Sequence, residues 1–238
     1  MNLSEFSTEF DILYNNIMSN MAPAVGSYEK SVFLTQAQEM TVISVYNNAF
    51  EKVEATREAI SSLVAQSPAI HAITEERNGL SSKSKFFKLP LDVWYITSEY
   101  AILKDGGFTL DTEGNEIETL RIADVIPTTQ DKYSRTMKDP FRRPNSTRVL
   151  KLTNANNESE LVSDHEIVSY TVRYLKKPSP IVLEDLSDLD ITIDGVSEPT
   201  ECALGNTIHR TILGQAVQLA KTVWMSGNAN NNNNSNAK

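Results

Sequence analysis

The chain has 238 residues, 40% hydrophobic, 8% aromatic and 22% charged, the profile of a folded protein rather than a disordered or fibrous one. Lys and Arg number 22 against 31 Asp and Glu, and the resulting net charge of -9 argues against a surface devoted as a whole to nucleic acid or anionic lipid, leaving room only for a local basic patch. Its length suffices for a sizeable core without covalent staples, in one domain or in two. The single cysteine, Cys202, excludes an intramolecular disulfide and a cysteine metal cage. The opening MNLSEFSTEFD has no basic segment followed by an apolar one, and no apolar run approaches the roughly 18 residues of a membrane span. An intracellular soluble chain, or one released by cell lysis, is expected.

In chain order, Phe6, Phe10, Leu13, Ile17 and Met21 recur every three or four residues, which predicts a helix over 3–21 with Ser4 as its N-cap. Pro23 and Gly26 end that pattern. Thr35 and Gln38 have the spacing of a capping box, opening a second helix that runs to about residue 66, where Ser67 before Pro68 stops it. Its apolar positions Met40, Ile43, Phe50, Val53, Ile60 and Val64 make no single stripe. That calls for either a break near Asn47 and Asn48 or burial on more than one side.

The polar stretch 78–85 reads as a linker. Beyond it β-branched and aromatic residues predict strands at 86–89, 93–103, 116–125, 148–152, 167–175 and 191–196. Turns are expected at Asp105, Gly106 and Gly107 and at Glu113, Gly114 and Asn115, with a hairpin connection over 153–159. Asn206 then caps the strongest helical run, Ile208, Ile212, Leu213, Ala216, Leu219, Ala220 and Val223. One amphipathic helix cannot bury its stripe alone, and its natural partners are the N-terminal helices. The expected architecture is α+β. Residues 1–78 and 203–226 form a helical bundle, a mainly antiparallel β region over 84–198 is inserted between them, and 227–238 form a disordered Asn-rich tail.

The sequence holds no recognisable catalytic, cofactor-binding or metal-binding set. His71, His165 and His209 are isolated from one another and from Cys202. His71 is expected on a helix surface or loop, and His209 is expected to face away from the helical stripe beside Arg210. There is no G-x-S-x-G, H-E-x-x-H, P-loop or G-x-G-x-x-G. Two charge segregations stand out instead. The segment 184–201 holds seven carboxylates and no Lys or Arg, and their spacing fails that of an EF-hand loop; a solvated acidic surface is the expected reading, and in a ring Asp185, Asp188, Asp190 and Asp194 are instead the candidate acidic channel or partner surface. Over 132–151 seven cations face Asp139 alone, and the sequence DPFRRPN sets Phe141, Arg142 and Arg143 between prolines. With Arg148 these make the candidate partner interface, because arginine forks suit carboxylates and phosphates alike.

The strings EFSTEFDILYNNIMSN, SYEKSVFLTQAQE, DPFRRPN, VRYLKKPSPIVLEDL and ITIDGVSEPTECALGNTIHRTILGQAVQLAK resemble the ring, adaptor-like proteins that join portal to tail in crAss-like and related tailed bacteriophages. The resemblance implies an adaptor-like helix bundle with a β-rich elaboration, built into a ring of about twelve copies that matches the portal. It implies no enzyme activity, no cofactor and no membrane. The implied partners are copies of the chain, the portal and neighbouring tail or ring proteins, with DNA passing through the channel without specific binding. The implied location is the head-tail interface of the virion, after assembly in the host cytoplasm. The competing readings are a nucleic-acid-binding module built on 132–151, another head or tail accessory protein, and a small enzyme with an unrecognised site.

Overall fold

The computed structural model describes residues 1–17, 23–48, 58–74, 77–110, 116–155 and 157–235. The chain divides into two compact units, residues 1–63 with 177–238, and residues 64–176. Among the described residues the helices are α1 (Leu3–Ile17), α2 (Ser27–Asn48), α3 (Gln130–Lys138) and α4 (His209–Ser235). The strands are β1 (Val64–Gln66), β2 (Ser84–Lys88), β3 (Val93–Leu110), β4 (Glu116–Pro127), β5 (Arg148–Thr153), β6 (Glu158–Val162) and β7 (Ile167–Lys176).

In the first unit α1 is opened by Asn2 rather than Ser4. The Asn2 side chain accepts from the Glu5 N–H at 2.8 Å, and the Glu5 carboxylate accepts from the Asn2 N–H at 2.9 Å, a reciprocal box that satisfies two otherwise free donors. Its buried side is Phe6, Phe10 and Tyr14, one residue every turn, and Leu13 is exposed. Helix α2 starts at Ser27, eight residues before Thr35. Thr35 and Gln38 are therefore interior residues, and what they bond is the returning chain. Thr35 Oγ1 accepts from the Ile181 N–H at 3.0 Å, Gln38 Nε2 donates to the Ser179 carbonyl at 2.7 Å, and Ser31 Oγ accepts from the Leu183 N–H at 3.0 Å. Polar residues on α2 thus satisfy the backbone of an irregular segment. Described helix ends at Asn48; Phe50 and Val53 lie outside the described residues, and Val64 belongs to β1.

Helix α4 buries Ile212, Leu213, Ala216, Val217 and Ala220 and packs on α1 and α2, with Thr41 of α2 donating to Gln215 at 2.8 Å. His209 belongs to this stripe, contrary to expectation, because it precedes Ile212 and Leu213 by three and four residues. It is buried against Phe6, with ring centroids 5.2 Å apart. Its Nε2–H donates to the Leu204 carbonyl and its Nδ1 accepts from the Met1 ammonium, both at 2.9 Å. Helix α4 also runs on to Ser235 where a disordered tail was expected. Extending an existing helix avoids the nucleation cost, and Asn loses only about 0.7 kcal/mol per residue against Ala.

Residues 177–198 pack in this helical unit rather than in the β region. Val182, Leu186 and Ile193 form a small core with Val32 and Val196. The stretch expected as a strand over 191–196 is a tight turn. Ile193 and Val196 exchange backbone hydrogen bonds of 2.9 Å around Asp194 and Gly195, both at positive φ (51 and 82).

The second unit holds one seven-stranded sheet in the order β1-β7-β3-β4-β5-β6-β2. Its pairs are antiparallel except β4 with β5, whose crossover carries α3. Phe87, Leu103, Val149, Leu161, Tyr170 and Val172 fill the core on one face. On the other, Tyr133 and Met137 of α3 lie one turn apart over Leu150, Leu152 and Val162. Strand β6 and helix α3 were absent from the sequence reading.

Asp105, Gly106 and Gly107 do not end β3, as expected, but interrupt it. Lys104 opposes Leu120 and Phe108 opposes Glu118, so β3 spends four residues where β4 spends two. Gly106, at φ 73, supplies the left-handed backbone this bulge requires. Past the bulge β3 has no β7 neighbour, since that pairing stops at Leu103, and β4 gains β5 only from Asp124. Residues 104–110 and 116–120 therefore form a two-stranded arm.

Candidate functional site

The loop after α3 is shaped by its own hydrogen bonds. The Asp139 carbonyl accepts from the Arg142 and Arg143 N–H groups at 3.1 and 3.0 Å, and its carboxylate accepts from the Phe141 N–H at 2.9 Å. The Arg148 guanidinium donates to the Phe141 carbonyl, and Asn145 and Arg148 form an antiparallel bridge. Pro144 is buried. This scaffold leaves Phe141 itself 85% exposed, flanked by exposed Arg142 and Arg143. A large apolar ring held this far into water on a braced loop is a contact residue in waiting. Arg148, which the sequence grouped with the presented residues, is half-buried and acts as the brace.

The basic surface is smaller than 132–151. Lys151 is buried in the sheet, its Nζ 2.6 Å from the Glu99 carboxylate, with the two side chains 7% and 9% exposed. The Tyr170 hydroxyl donates to the same oxygen. Burial first, then the Glu99 charge, drives the Tyr170 phenol far above its ordinary value. The buried Ser159 hydroxyl nearby meets no full hydrogen-bond geometry, yet it lies close enough to the phenol to pull slightly the other way. What remains exposed is Lys132, Arg135 and Lys138 on α3 with Arg142 and Arg143 on the loop. Between them and the sheet an open cavity of about 420 Å³ has Ile126 and Leu150 in its wall and Lys132, Arg142 and Arg148 around it. An apolar wall under three cations suits a partner that brings both an aliphatic or aromatic group and a carboxylate.

The acidic run belongs to the helical unit, and all seven of its carboxylates are exposed. Asp185 is partly occupied at home. Its carboxylate accepts from the Ser187 N–H at 2.9 Å, and hydrogen bonds from the Ser187 hydroxyl and N–H hold its pKa below the ordinary value. Asp194 meets Lys177 at 2.7 Å, and Lys177 also meets Glu39 at 2.9 Å; the Asp194 hydrogen bond leads the causes that raise the lysine pKa. Asp188 sits in a 3-10 turn, and Asp190 ends that turn in the left-handed region at φ 52. Among the described residues no three His, Cys, Asp or Glu side chains gather as a metal site would require.

The sequence reading missed the arm. On β4 the alternation Glu118, Leu120, Ile122, Asp124, Ile126 puts three aliphatic residues on one face, and Phe108 lies on that same face opposite Glu118. Phe108 is 62%, Leu120 53% and Ile122 67% exposed. The period-two signal was in the sequence, but nothing in it says which face the core takes.

The family of phage tail ring proteins 3/4 matches residues 1–234. The chain belongs to that family. It is 39% identical over 227 residues to ring protein 3 of Bacteroides phage crAss001, covering 92% of this chain and 95% of that one. It is 34% identical over 238 residues to ring protein 4/5 of the same phage, covering 94% of each. As a crAss-like phage ring protein it is a tail-associated structural component of the virion, and its assembly with other ring or tail proteins follows from that membership. No described helix is long and apolar enough to cross a membrane.

Proposed function

We propose that the chain is a subunit of a ring between portal and tail that joins head to tail and lines the DNA channel, without catalytic activity. The observation that carries this is the match to a tail ring family over nearly the whole chain, both units included. Closed rings require heterologous contacts, in which one patch of a subunit meets a different patch of the next, and segregated charge supplies such patches. In this reading the ring holds about twelve copies, the number that matches a portal. The braced Phe141 loop with Arg142, Arg143 and Arg148 meets a neighbour, and Asp185, Asp188, Asp190 and Asp194 line the channel, where negative charge keeps DNA from adhering. The portal, copies of the chain and adjacent tail or ring proteins are its partners. The ring forms in the host cytoplasm and ends at the head-tail interface.

Reconstitution with the portal from the same genome tests this. A stoichiometric ring on the narrow end of the portal, seen by negative-stain microscopy, is the expected outcome. Failure to bind across all salt conditions, or localisation to capsid faces or fibres in virions, overturns it.

A further inference from the structure

We propose that the β3–β4 arm of one copy seats on the Phe141 surface of the next copy in the ring. The inference rests on the ring reading above and names the contact that closes it. A two-stranded ribbon is marginal in water without something to cover its apolar face. Here that face shows Phe108 and Leu120 to solvent, and Ile122 continues it on the sheet at the arm's root. The chain's own Phe141 loop does not cover it, because Phe141 is itself 85% exposed. The arm leaves the sheet beside that loop, where Arg121 donates to Ser146 at 3.3 Å, and extends some six or seven residues from there, about 20 Å at the rise of a strand. Its tip and the loop therefore lie at different ends of the ribbon, as a heterologous, ring-closing contact requires.

Charge selects the occupant. Residues 104–121 hold five carboxylates, at Asp105, Asp111, Glu113, Glu116 and Glu118, against Lys104 and Arg121. Both cations are engaged within the arm or at its root, Arg121 with Asp105 at 2.6 Å and Lys104 with Glu118 and Glu166 at 3.2 and 3.1 Å. Over that stretch of sequence the carboxylates outnumber the cations by three, which gives it a negative character. Residues 130–148 hold six cations against Asp131 and Asp139. Each surface thus combines exposed aromatic area with charge of one sign, and the signs are opposite. A second copy brings both surfaces, so every copy both gives and receives. A duplex partner would match the basic surface alone and leave the apolar arm wet.

The test uses the full chain with Cys202→Ser, carrying Phe108→Cys and Phe141→Cys together, under conditions where the wild-type ring forms, and a short bismaleimide as crosslinker. Both sites are exposed, so unchanged melting is expected. The expected result is a ladder of covalent oligomers ending at the ring size. Glu113→Lys with Glu116→Lys, or Arg142→Glu with Arg143→Glu, should each lower the ladder yield about tenfold, and the two pairs combined should restore most of it. Rings that form normally without any ladder overturn the arm contact and leave the ring reading intact. So does a ladder insensitive to both charge reversals. Absence of any higher oligomer of the wild-type chain, with the portal or without it, overturns the ring reading and this contact with it.

Discussion

At the scale of single residues the most demanding site is Lys151, Glu99 and Tyr170 in the sheet. Two polar groups, the Lys151 ammonium and the Tyr170 hydroxyl, converge on one carboxylate oxygen, with both charged side chains under a tenth exposed. Such a pair offsets its desolvation only while complete, and removing one partner strands a buried charge at a cost of about 3–5 kcal/mol. Lys151→Met should therefore lower the unfolding free energy measured by urea denaturation by about 3–5 kcal/mol. The triple variant with Glu99→Leu and Tyr170→Phe, which removes the polar set together, should recover most of the loss. If Lys151→Met melts like wild type, the carboxylate has found water and the cluster is not closed. Sequence could not show this. A lysine in a run of seven cations looks solvated until the sheet brings it to Glu99, two strands away on the same face. His209 and Thr35 were misread for a related reason: their residue types and spacings fit several partners, and the tertiary fold chose the Leu204 carbonyl and the Ile181 backbone.

At the scale of elements, what could be read was what buries one clean face. Helices α1 and α4 bury a single stripe each, Phe6, Phe10 and Tyr14 in one and Ile212, Leu213 and Ala216 in the other. Helix α2 does not. It spends Ser31, Thr35 and Gln38 on the chain at 179–183, so its start lay hidden behind a capping pattern in its middle. Helix α3 rests on only two apolar residues, Tyr133 and Met137, too few to set a period. The two glycines in β3 read as a turn because glycine permits both a turn and a bulge, and only cross-strand register separates them. Since α4 packs on both α1 and α2, its stripe holds the helical unit together. Leu213→Asp forfeits about 1.5–3 kcal/mol of burial and adds the cost of an unpaired charge. Amide hydrogen exchange should then speed up across residues 5–17 of α1 as well as within α4. Full protection of α1 in that variant would mean that α4 packs without supporting it.

At the scale of the whole molecule the charge distribution decides how the chain treats DNA. One copy carries -9, so a ring of about twelve holds on the order of a hundred net negative charges. The exposed carboxylates of 184–201 add a local field with no cation among them, and they face an ion atmosphere only about 8 Å thick at physiological salt. The oppositely charged patch, Lys132, Arg135, Lys138, Arg142 and Arg143, is a part of the described surface where phosphate would be welcome. If the neighbouring arm covers it, assembly removes it from reach. Two consequences follow for gel retardation with duplex DNA. The assembled ring should not retain DNA at 0.15 M salt. The isolated chain should retain it only weakly at low salt, the affinity falling steeply as salt rises, because roughly five phosphate contacts release about as many counterions. Arg142→Ala with Arg143→Ala should weaken that residual binding in the isolated chain and flatten its salt dependence by about two counterions. Tight retention by assembled rings at physiological salt would instead make the basic surface a nucleic-acid site, and 132–143 would then face the channel rather than the next copy.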